Sequence, residues 1–124
     1  MVNTDVANGW LNATFRGETY TGPATIWAAL FDDNPDNGGV EVTGPGYARV
    51  QVSFSPASGG EIENSQVFEF PPASGAWGEV KYIAFFDAQT GGDRLLPAEA
   101  MPVVDVVAGM VYRVPVGGAV VKVP

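Results

Sequence analysis

Residues Tyr47 to Phe54 alternate strictly, with Ala48, Val50, Val52 and Phe54 on one face and Tyr47, Arg49, Gln51 and Ser53 on the other. Successive side chains of a strand point to opposite faces, so this pattern predicts a strand with one face buried. Ala24 to Phe31 follows the Gly22-Pro23 punctuation and is apolar on both faces, which predicts a central strand. Shorter apolar segments come next. Gln66 to Phe70 is stopped by Pro71-Pro72, and Val80 to Asp87 lies between Gly78 and the Thr90-Gly91-Gly92 turn. Arg94-Leu95-Leu96 reads as the start of a return strand ending at Pro97, and Val103 to Val107, Met110 to Val116 and Ala119 to Val123 complete the series. Pro115 implies an edge position or a strand end, because proline cannot donate to a ladder. About seven or eight short strands, with turn signals at intervals of roughly eight to twelve residues, predict an all-β fold, an antiparallel β-sandwich or a barrel-like variant of it.

Before the strands, Thr4 to Phe15 has the spacing of a short helix. Thr4 is the expected N-cap, and Asp5 in the first turn opposes the positive end of the helix dipole. Val6, Trp10, Leu11 and Thr14 fall near one helical face, while Gly9, Asn8 and Asn12 weaken the helix. The chain is therefore read as a single β domain over residues 1–124, with residues 1–18 as a helical docking segment and 19–124 as the sandwich. The turn Gly44-Pro45-Gly46 opens the alternating strand, since glycine permits positive φ and proline fixes φ.

Composition supports strands and removes several chemistries. Hydrophobic residues make up 46% of the 124, with 3 Trp, 4 Tyr and 7 Phe, enough for a packed core. Gly 16 and Pro 10 favour many tight turns. There is no cysteine, so disulfides, thiolate nucleophiles and cysteine-ligated metals are excluded. There is no histidine, which removes serine–histidine and cysteine–histidine nucleophilic systems and the commonest transition-metal ligand. The net charge is −8, and the 6 cationic residues are scattered singly, so nucleic acid is not an expected partner. No apolar run approaches the roughly 20 residues of a membrane span, and the N-terminus lacks the basic start of a signal peptide. The expectation is a soluble product made in the cytosol, with no membrane partner and no cofactor.

Three groups of residues invite a chemical reading. Asp32, Asn34 and Asp36 mimic the alternating start of a calcium loop, but Asn37 stands where glycine belongs, Pro35 stiffens the fourth position and Thr43 replaces the bidentate glutamate. An acidic connection between strands is the better reading, and no metal site is assigned. Glu61, Glu63, Glu69 and Glu79 could supply paired carboxylates for glycoside hydrolysis, yet all lie in segments expected to face solvent, and no catalytic residue is assigned. Trp10, Trp27, Trp77, Tyr47 and Tyr82 could stack on sugar rings, although aromatic residues in a small β domain more often build core or interface. Asn12-Ala13-Thr14 matches an N-glycosylation pattern that is common by chance.

Segments along nearly the whole chain carry a resemblance. They are Leu11 to Gly17 (LNATFRG), Tyr20 to Phe31 (YTGPATIWAALF), Glu41 to Arg49 (EVTGPGYAR), Phe70-Pro71-Pro72-Ala73, Trp77-Gly78-Glu79-Val80 and Phe86 to Gly92 (FDAQTGG). In this order the chain resembles a family of small bacteriophage virion proteins usually labelled phage tail or tail-fibre proteins. The resemblance implies a β-rich, non-enzymatic structural subunit located in the virion. Its implied partners are other virion proteins (tail, baseplate or major capsid subunits) and further copies of itself. A capsid-decoration role suits the same sequence, and a glycan-binding host-attachment module is the alternative from another class. The residues assigned to interaction are Trp10, Leu11, Phe15 and Arg16 for docking, with Tyr47 and Arg49 at the strand opening. For Arg49 the favoured reading is a bridge to an acidic residue within its own sheet.

Overall fold

Apolar positions on both faces of one segment place that segment between layers. The computed structural model describes residues 3–122. Their elements are α1 (Thr4–Arg16), β1 (Ile26–Phe31), a 3-10 turn (Pro35–Asn37), β2 (Val50–Val52), β3 (Glu61–Glu63), β4 (Phe68–Glu69), β5 (Gly78–Phe86), β6 (Glu99–Val106), β7 (Arg113–Val114) and β8 (Val120–Lys122). The doubly apolar β1 is an inner strand of a four-stranded sheet ordered β2-β1-β5-β6, and β3–β8 and β4–β7 form two-stranded ribbons. Every one of these pairings is antiparallel.

The layering follows from alternation. Ala28 and Leu30 of β1 join Val52, Ile83 and Phe85 of the same sheet in the main core, together with Phe68, Tyr112, Val114 and Val121 from the ribbons and their approaches. The ribbons thus close over one face of the sheet, giving the all-β sandwich. Ala29 and Phe31 point the other way and pack with Ala84, Tyr82, Phe86 and Ala98 in a smaller cluster. Phe31 and Phe86 stack there with ring centroids 6.1 Å apart.

Several elements depart from the sequence pattern. The strand expected over Tyr47–Phe54 is reduced to Val50–Val52, because β2 pairs only with Ile26, Trp27 and Ala28. β3 carries one apolar residue, Ile62, between two glutamates, and its existence depends on pairing with β8. Arg94 makes a single bridge to Phe86, and the return strand begins at Glu99. β6 is an outermost strand, and Pro102 sits where its register against β5 slips, as proline at an edge or a bulge should. β7 ends immediately before Pro115. Val123, the last residue of the expected final strand, and Pro124 lie outside the described residues.

The helix is capped by Asn3, not Thr4: the Asn3 side chain accepts from the amides of Asp5 at 2.9 Å and Val6 at 3.3 Å. Gly9 has a packing reason, since a Cβ there would fall 2.2 Å from the ring of Tyr20. Within α1 only Val6 is buried, whereas Leu11 and Phe15 are exposed.

One buried polar side chain ties the ribbons together. Asn64 is fully buried and follows β3 directly. Its side-chain amide donates to the carbonyls of Gln66 and Pro115, both at 2.8 Å, and its side-chain oxygen accepts from the Ala119 amide at 3.0 Å. Both donors of that side chain and its oxygen thus find partners, and buried polar groups left without partners cost about 1–3 kcal/mol each. Asn64→Ala is therefore expected to lower unfolding stability by about 2–4 kcal/mol. Urea denaturation reads this as a lower midpoint, and a loss under about 0.5 kcal/mol would count against the staple.

Candidate functional site

The turn at Gly44-Pro45-Gly46 delivers two side chains into one polar cluster. Gly44 lies so close to the indole of Trp77 that an added Cβ would fall 2.4 Å from its ring. Gly46 takes φ of 84°, the left-handed region that favours glycine. The Pro45 carbonyl between them accepts from the Trp77 indole at 2.8 Å and from the Ser74 amide at 3.1 Å. The turn is thereby fixed to the segment leading into β5.

Beyond it, Tyr47 turns its ring into the main core. It stacks on Phe70 and meets Trp77 edge to face, with centroids 6.1 and 5.4 Å away. Its hydroxyl accepts from the Leu30 amide at 3.0 Å and donates to Glu41 at 2.6 Å. Arg49 donates to both oxygens of Glu41, at 2.9 and 2.8 Å. Its remaining reach goes to the carbonyls of Ala88 and Gly91, at 3.0 and 2.7 Å, and its guanidinium lies 3.8 Å over the ring of Phe86. One arginine thus clamps Glu41, the β5 end and the loop after it. A bidentate arginine–carboxylate pair on an aromatic face is rigid and specific.

The strict alternation of the sequence places Tyr47 and Arg49 on one polar face. Instead, Tyr47 packs against the main core while Arg49 covers a ring of the opposite cluster. Both precede β2, so strand periodicity does not govern them, and Glu41 brings them together. Glu41 makes a single antiparallel bridge to Phe31, so the arginine partner is attached to the same sheet. The sequence pattern did not single out Glu41; its only signal was an acid six residues before Tyr47.

Burial acts to raise the Glu41 carboxyl, but hydrogen bonds from Arg49 and Tyr47 and the nearby positive charge outweigh it and hold the group below its ordinary value. Burial, reinforced by the Glu41 carboxylate, pushes the Tyr47 phenol up, so it remains a proton donor. A shallow groove of about 370 Å³ runs beside the cluster, between Thr43, Ala48 and the Gln89-Thr90-Gly91 loop.

The other sequence candidates fall elsewhere. Trp77 is buried, and Trp10, Trp27 and Tyr82 are half-buried at separate places. Leu11 is 55% and Phe15 81% exposed, and Arg16 pairs at the surface with Glu18 at 2.6 Å. In the acidic loop, Asp32 accepts from the Val40 amide, Asn34 caps Asp36, and Asp36 pairs with Arg94. Among the described residues no three acidic side chains gather to hold a metal ion. Glu61 and Glu69 are exposed and pair with Lys122 and Arg113.

The family described as Podophage GP4 fiber I protein gp80 matches residues 2–122. The chain belongs to that family. No curated protein matches it. The assignment agrees with the phage-fibre resemblance of the Gly44–Arg49 region and its neighbours. In this gp80-family fibre protein, those signature residues converge on the Glu41–Tyr47–Arg49 cluster and the Trp77 turn.

Two outcomes test that arrangement. A carboxyl with a depressed folded pKa contributes stability that is present above its unfolded value, about 4.3, and is lost as pH falls through the folded value. Glu41→Gln is expected to cost about 1–2 kcal/mol at pH 7, with the gap from wild type shrinking by pH 3. A gap independent of pH in urea titrations would contradict the ionised clamp. Gly44→Ala is expected to displace Trp77 and destabilise by about 1–3 kcal/mol, visible as a red-shifted tryptophan emission and altered near-UV circular dichroism. An unchanged spectrum would show that the turn tolerates a Cβ.

Proposed function

We propose that the chain is a non-enzymatic structural subunit of a podophage particle, a fibre-type component that acts by protein–protein packing at the virion surface. The observation that carries this reading is the match of residues 2–122 to a phage fibre family. The geometry is in keeping with it. The most elaborate polar cluster has its donors and acceptors turned onto the chain's own backbone and side chains, which suits a scaffold for loops. Apolar side chains are presented outward on α1, where Leu11 and Phe15 are exposed and Trp10 is half-covered. The docking segment of this reading is α1, with Trp10, Leu11, Phe15 and Arg16 against another virion protein. Tyr47 and Arg49 serve it indirectly, by holding the loop that borders the groove. The partners of this reading are tail, baseplate or capsid subunits and other copies of the chain.

Purified particles carrying an epitope-tagged subunit provide the test. The protein is expected to co-sediment with virions through a density gradient and to be labelled by gold at an appendage in electron micrographs. Finding it in the infected lysate but absent from gradient-purified particles would overturn the reading.

A further inference from the structure

An apolar pocket of about 170 Å³ opens between the layers of the sandwich. Phe54 and Phe85 meet there edge to face at 5.2 Å, and Ile26, Ile62, Leu95, Leu96 and Val121 complete its walls. Its surface is wholly apolar. A dry cavity of roughly 150 Å³ is enough to accept a benzene ring, and an aromatic pair adds favourable edge and face contacts for a third ring.

The same chain carries a ring without a seat. Phe15 is 81% exposed, the most exposed of the large apolar side chains among the described residues. It lies in the last turn of α1, whose buried anchor is Val6, so the helix carries it roughly 14 Å along its axis from that anchor. Arg16 stands beside it, 70% exposed and joined among the described residues to Glu18, a surface pair that exchanges partners at little cost.

Charge complements shape at the pocket. Leu95 is shared between the pocket and an adjoining groove. That groove carries Asp5, Asp87 and Asp93, with no lysine or arginine among its described lining residues. A ring entering the pocket beside a cation would therefore meet an apolar socket with an acidic neighbour.

We propose that Phe15 of one copy seats in this pocket of a second copy, with Arg16 lying on the Asp5–Asp87–Asp93 groove. The groove includes the root of the second copy's own α1, so the tip of one helix joins the root of the next. Such a contact is not self-complementary, and it repeats head to tail as a closed ring or a continuing line. A single ring in a single socket is a weak bond in dilute solution and gains strength when copies are held together on a particle. The inference rests on the structural-subunit reading, which the virion experiment above tests separately.

The full chain can be tested by sedimentation equilibrium and photo-crosslinking. Wild type is expected to self-associate with rising concentration, less so at high salt. Phe15→Ala should weaken association at least about tenfold, while Phe15→Leu keeps most of it. Mixing Phe15→Ala with Leu96→Glu should give pairs that stop at two, since one variant retains the socket and the other the ring. A benzophenone side chain at position 15, in otherwise native protein, should crosslink to peptides containing Phe54, Ile62 or Leu96 of another copy. The crosslink decides the matter even if Leu96→Glu fails to fold. A wild type that stays monomeric at all concentrations, association indifferent to Phe15→Ala, or crosslinks only outside the pocket or only to a different virion protein would each overturn the proposal. A monomeric chain still found on purified particles would sink the seat alone and leave the subunit reading standing.

Discussion

The amide of Leu30 must find a partner, because it lies in a fully buried residue of an inner strand and a buried unpaired amide costs about 1–3 kcal/mol. β2 has already ended at the pair Ala28–Val50, and the Leu30 carbonyl is taken by the Val42 amide. The Tyr47 hydroxyl fills the remaining gap, acting as a missing ladder position supplied by a side chain. Much else depends on that placement. The ring must enter the core beside Phe70 and Trp77, the turn before it must be tight enough for Trp77 to lie against Gly44, and the hydroxyl proton must go to Glu41. Glu41 then needs a cation in a half-buried place, and Arg49 supplies it.

This chain of requirements explains what was legible in the sequence. Patterns repeated over many residues were readable: the doubly apolar β1, the glycine and proline punctuation, the long β5, the helix before the strands and the antiparallel sandwich they build. Positions decided by a single distant partner were not. Asn64 looks like any polar loop residue until Pro115 and Ala119 are brought to it from some fifty residues away. Asn3 and Thr4 are both acceptable caps by residue type, with Asn the stronger, and the path of the backbone starts the helix at Thr4 with Asn3 as its cap. Tyr47 and Arg49 could be singled out as a pair, but their separate destinations could not, because the chain leaves strand geometry just before β2. The apolar socket was invisible as well, since Phe54, Phe85, Leu96 and Val121 come from four separate parts of the chain.

The division of labour between polar and apolar groups fits a fibre protein. The half-buried Glu41 and Arg49 are matched to one another and to carbonyls, which fixes the loops around them. Apolar side chains are shown outward mainly on α1, on β6 and on the segment that follows it, where Val103, Val107 and Val111 are exposed.

The proline in β6 has a consequence for such a protein. Wherever copies of a β protein meet at high local concentration, a long regular outer strand templates the addition of strand upon strand. Pro102 and the slipped register around it break the free edge of the sheet near its middle. A neighbour attempting to extend the sheet meets a missing amide and a twisted backbone. One residue outside every cluster described above thus guards the sheet edge against amyloid-like strand addition.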